Sequence, residues 1–218
     1  MIAADGRSTV DPGPDATYRD DRLKVRAFPE RDLLVGCCDE DLVADRVFDV
    51  LGATVAPREL DELALHEVVM RERFRVATGM GRSWPRVQVL AAFGAREAPR
   101  LIRLIADAGY DPIEEQSICW WGLLADAGML LRRYCRPSIS SDALIRLLVA
   151  AISETAAVSP VVGGAVSVGV LDSNGARMLP AGDVEAVGAS GRARAACWSG
   201  SSRDPAATLQ RHAVATAR

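Results

Sequence analysis

Histidine and lysine are nearly missing from this chain: two His, at 66 and 212, and one Lys, at 24, in 218 residues. With so few imidazoles, a His-rich metal site is not expected. The other 25 of the 26 basic residues are Arg, a skew that fits a GC-rich coding sequence better than a demand for guanidinium chemistry. A Cys-x-x-Cys pair is absent as well. The five Cys stand at 37, 38, 119, 135 and 197, and a bridge between the adjacent Cys37 and Cys38 would be strained, so the pattern predicts reduced thiols and a cytoplasmic protein. The opening stretch MIAADGRSTVDPGPD contains acids and no apolar h-region, which excludes a secretory signal peptide. No long apolar run is intact: the uncharged stretch from Thr155 to Leu171 is broken by Pro160, Gly163, Gly164 and Gly169, and its Val/Ala alternation suits a strand rather than a membrane span.

What is present is an ordinary globular balance, 49% hydrophobic and 25% charged, enough for one domain of moderate size or two small ones. The formal net charge of -3 supplies no general attraction to nucleic acid or anionic lipid.

Residues 1–21 read as a flexible leader, with Gly6, Pro12, Gly13 and Pro14 among charges and no apolar period. Leu23–Phe28 alternates, Pro29-Glu-Arg-Asp32 has turn chemistry and Leu33–Cys38 is a second apolar run, which predicts a β-hairpin. Asp39 then caps a helix carrying Leu42, Val43, Val47, Val50 and Leu51, closed by Gly52. A second helix is predicted from Arg58 to Ala77, with Leu60, Leu63, Ala64, Val68, Met70 and Phe74 apolar, followed by a strand over Val87–Phe93. Ala98–Ala108 has a helical stripe of Leu101, Ile102, Leu104 and Ile105, and Asp111-Pro112 has the chemistry of a helix start. Ser140 or Ser141 caps a helix through Ala157, and the Asp172-Ser-Asn-Gly175 turn joins a second hairpin. The expected fold class is mixed α/β, helix-rich in the middle with short hairpins near both ends. The expected organisation is an α/β core over 22–158, a hairpin extension over 159–188 and a mobile tail over 189–218.

Candidate sites follow from residue chemistry. Cys37 and Cys38 precede a predicted helix N-terminus, which would favour a thiolate, while Asp39 opposes it; buried core is the competing reading and the commoner one. Gly79-Met-Gly81-Arg82 could cradle an anion, but it lacks the spacing of a phosphate loop and reads better as a helix-ending loop. His66-Glu67 begins a zinc-protease pattern that fails at position 70, which is Met. Two helices over 101–108 and 112–124 would resemble a helix-turn-helix, with Glu114 and Glu115 repelling phosphates at the head of its recognition helix. Trp120 and Trp121 point about 100° apart on a helix, so one is free to anchor a partner.

No paired catalytic constellation and no cofactor motif emerges. The reading with most support is a non-catalytic regulatory or interaction module that associates with itself or another protein through Trp120 and Trp121, with no membrane and no nucleic-acid partner and no metal. The alternatives are a small cytoplasmic enzyme using the Cys37/Cys38 thiols with Arg82 as an anion clamp and, with less support, a helix-turn-helix nucleic-acid binder.

Overall fold

A computed structural model describes residues 1–11, 17–53, 60–81, 84–94, 99–115, 125–136 and 138–189. In chain order these form strands β1 (Ile2–Ala4), β2 (Ser8–Asp11), β3 (Thr17–Arg19), β4 (Val25–Phe28) and β5 (Leu33–Asp39), then helices α1 (Asp41–Ala53) and α2 (Glu62–Met80). Strands β6 (Val87–Phe93), β7 (Arg100–Leu104) and β8 (Ile113–Glu115) follow, then α3 (Ala125–Tyr134), α4 (Ser141–Val158), β9 (Ser167–Asp172) and β10 (Gly175–Met178). A further helix occupies residues 181–189. The fold is mixed α and β, with strands towards both ends, as the patterning predicts.

Alternation along β5 explains the layering. Leu33, Val35 and Cys37 point to one side, where they pack with Val43, Val47, Phe48 and Leu51 of α1 and Leu65, Val69 and Val76 of α2. Leu34 points to the other side and meets Ile2, Val25, Leu171 and Ala176. A strand that buries both faces reads as a continuous apolar run, as Leu33–Cys38 does. Five antiparallel strands in the order β4-β5-β6-β7-β8 make one sheet, and β1-β9-β10 make a second. A third apolar cluster, Val149 of α4, Val168 of β9 and Val184 of the last helix, covers the far side of the second sheet. The molecule is therefore layered helix, sheet, sheet, helix. The two sheets approach closely at Gly169, where a Cβ would lie 2.9 Å from the Leu34 side chain.

Several boundaries follow the local chemistry. Asp61 caps α2 by accepting from the Ala64 N–H at 2.8 Å, Gly81 ends it with φ +59°, and Ser140 caps α4 through the Ala143 N–H at 3.3 Å. The hairpins β4–β5 and β9–β10 form in antiparallel register.

Three expectations fail. Ile2–Ala4 belong to no flexible leader: they pair with Gly169, Val168 and Ser167 of β9, and Ile2 is buried. The run Ala98–Ala108 holds strand β7 instead of a helix, paired with β6 and β8. Its Leu101 packs towards the second sheet while Ile102 and Leu104 face α1 and α2; burial on both faces fills adjacent positions and imitates a helical stripe. Ile113–Glu115, expected to open a helix after Asp111-Pro112, is edge strand β8. The helix-turn-helix reading falls with these two segments.

Candidate interaction surface

The sequence-derived sites are dispersed. Cys37 faces the α1–α2 layer, 4% exposed, and burial pushes its thiol up, with Cys38 adding to the effect. Cys38 is half-buried, and burial together with the Asp39 charge pushes its thiol up to about 12. Neither environment favours a thiolate. Gly79 lies in the last turn of α2 and Gly81 is its left-handed cap; Arg82, Trp120 and Trp121 lie outside the described residues, as do 190–218 of the expected tail. Among the described residues no group of three His, Cys, Asp or Glu could hold a metal ion, and no helix is long and apolar enough to cross a membrane.

The structure instead draws attention to α2. Its buried stripe is Leu65, Val69, Glu72, Arg73, Val76 and Ala77, about 100° per residue around the helix axis. Of the apolar residues named for this helix, Leu60, Val68 and Met70 pack at the margin of the core, but two do not. Leu63 and Phe74, eleven residues apart and nearly in line on the helix surface, are 61% and 56% exposed. Trp84, just beyond the helix, is half exposed and its ring stands 5.8 Å from that of Phe74. Met80 adds a fourth exposed apolar side chain. Beside them an open cleft of about 360 Å³ is lined by Glu40, Val76, Ala77, Met80, Trp84, Pro85 and Arg86.

Trp84 is held in place from beneath. Arg73, 7% exposed, donates from Nε to the Pro85 carbonyl at 2.9 Å and lies over the rings of Trp84 at 5.3 Å and Tyr110 at 3.9 Å. A desolvated guanidinium between two π faces gains electrostatic attraction without a carboxylate, and burial lowers its pKa. Tyr110 continues the chain: it is 2% exposed and its Oη accepts from the Val87 N–H at 3.2 Å. On the other flank, Glu72 is 1% exposed and takes Arg75 Nη1 at 2.8 Å and Arg71 Nε at 3.2 Å on one oxygen, with Arg46 Nη1 of α1 at 4.0 Å from the other. The outer face of α2 thus combines exposed aromatics with half-exposed arginines.

Sequence reasoning noticed Phe74 and missed its exposure. The signal available was Glu72 and Arg73 standing where an apolar stripe in the true phase needs apolar residues; two charges inside the stripe disguised it.

No family model and no curated protein matches this chain. Solved structures do. The chain resembles the protein of "Helical Assembly of the Anbu Complex from Pseudomonas aeruginosa" with a TM-score of 0.71 at 14% identity, over 96% of this chain and 90% of that one. Anbu from Hyphomicrobium sp. strain MC1 is similar with a TM-score of 0.63 at 14% identity, over 93% and 92% of the two chains. Anbu from Yersinia bercovieri, described as an ancestral beta-subunit, is similar with a TM-score of 0.65 at 13% identity, over 90% and 91%. The likeness is one of fold. It runs through nearly the whole length on both sides, so the four layers described above are shared architecture.

Proposed function

We propose that this chain is a non-catalytic subunit that assembles with copies of itself, using the outer face of α2 as a contact surface. The observation that carries the reading is the set of exposed apolar side chains of α2 and the turn after it: Leu63 and Phe74 in line on the outer face, Trp84 against Phe74, and Met80 at the end of the helix. Large apolar groups clustered on a surface are characteristic of interfaces, and aromatics dominate their energetics. Arg73 beneath Trp84 gives the patch a fixed geometry, which lowers the entropy lost on association. The fold likeness to an Anbu complex solved as a helical assembly supports the same reading, since head-to-tail contacts between identical subunits extend into rings or helices. A regulatory or architectural part agrees with Cys37 and Cys38, whose surroundings hold both thiols protonated.

The test is light scattering on the full chain as it elutes from a size-exclusion column, with Phe74→Ser and Trp84→Ser beside the parent. Species larger than 23.3 kDa are expected for the parent, and smaller ones for both variants at unchanged circular dichroism. A monomeric parent across a hundredfold range of concentration overturns the proposal. Equal assembly by all three proteins overturns the assignment to α2.

A further inference from the structure

Arg46, Arg71 and Arg75 converge on one buried carboxylate, and their charge exceeds what that carboxylate needs. Three guanidiniums surround Glu72, so two positive charges are left over at a spot where the anion is 1% exposed and the cations are 47%, 51% and 55% exposed. One carboxylate oxygen takes a single N–H from Arg71 and one from Arg75, which leaves most of the five donors of each guanidinium directed elsewhere. Glu72 acts as an internal template. Anchored in the α1–α2 seam, it holds three flexible side chains together against their mutual repulsion, and so removes much of the entropy that a second anion would otherwise have to overcome.

We propose that the solvent side of this cluster binds an oxyanion of the phosphate class. The planar fork of guanidinium matches two oxygens of a tetrahedral anion, and a dianion matches the two uncompensated charges. Phe74, one helical turn on from Arg71 and next to Arg75, and its neighbour Trp84 stand beside the cluster as exposed rings. They provide a stacking surface for a phosphate carried on an aromatic base. The arginine cluster does not rest on the self-assembly reading, although the two rings beside it are shared with the contact surface proposed there.

Isothermal titration of the full chain at constant ionic strength tests this, with inorganic phosphate, adenosine monophosphate and acetate as probes. Phosphate is expected to bind and acetate is not. Tighter binding of the nucleotide assigns the ligand to phosphorylated aromatic compounds, and equal affinity assigns free phosphate. Arg75→Gln should weaken phosphate binding about fivefold by removing one charge-assisted contact. Glu72→Gln should weaken it as well, because the charge that gathers the three arginines is removed. Arg46→Gln, which alters only the 4.0 Å contact, keeps both short bonds to Glu72 and gives a weakening in a folded protein where either other variant unfolds. Absence of heat with phosphate, equal binding of acetate, or affinities unmoved by Arg46→Gln and Arg75→Gln overturn the proposal.

Discussion

At the scale of single residues, burial decides what chemistry a side chain offers. Cys38 keeps its proton in the folded chain well beyond the pH at which an exposed thiol loses it, because burial and Asp39 both disfavour the thiolate. The unfolded chain loses the same proton near its ordinary value of 9.0. The native state then binds more protons than the unfolded state, so this residue's contribution to stability is complete below about pH 9 and is lost as the pH rises from there towards about 12. Denaturant titrations between pH 8 and 11 should show a steeper alkaline decline for the parent than for Cys38→Ala. Parallel curves would mean that the thiol is not held protonated. Arg73 shows the same principle from the cationic side: without a carboxylate, it is tolerated because Trp84 and Tyr110 present π faces and Pro85 presents a carbonyl.

At the scale of elements, connections to buried groups place the segments that face outward. Tyr110, held at φ +67°, pins the turn before β8 to the first residue of β6 through the Val87 N–H. Tyr110→Phe keeps the ring that supports Arg73 and leaves that buried N–H unpaired, a loss of about 1–3 kcal/mol. Urea unfolding should register it, and an unchanged midpoint would show the bond to be dispensable. Sequence reading succeeded for elements whose signals are local. Gly81 ends α2, Ser140 opens α4, and the Asp172–Gly175 turn joins β9 to β10, each by chemistry contained within four or five residues; the start of α2, expected at Arg58, lies at Glu62 instead. It failed where the deciding partner is remote. Leu101 reads as part of a helical stripe until the second sheet is there to bury it. The exposed face of α2 was hidden for the matching reason: Glu72 and Arg73 sit in its buried stripe with Arg46, Trp84 and Tyr110 coming to them from elsewhere in the chain.

At the scale of the whole molecule, the opening strand closes the architecture. β1 is one edge of the second sheet, with Ile2 opposite Gly169 and packed among Val25, Leu34 and Leu171. Around it, Asp5 accepts from Lys24 Nζ at 3.0 Å and from the Gly163 N–H at 3.2 Å, so the chain's one lysine helps to fasten the two ends of the fold together. Removing residues 1–7 should therefore lower the thermal midpoint by several degrees or abolish cooperative unfolding, since a buried Ile alone contributes about 2–3 kcal/mol. A truncated chain that melts with the parent would restore the reading of this stretch as a leader.

The pairing of β1 with β9 also sets an order of events during synthesis. Ile2 leaves the ribosome well before its partner Gly169, which is made more than a hundred and sixty residues later, a delay of about ten to thirty seconds at ordinary elongation rates. Once Glu115 has been made, the five-stranded sheet and its covering helices have all their sequence available, while the second sheet does not. Contacts of such long sequence separation are slow to close and leave apolar strand edges open to other chains. A nascent chain of this fold passes through a half-built stage with one face of its first sheet uncovered, open to any apolar surface that it meets before the second sheet is made.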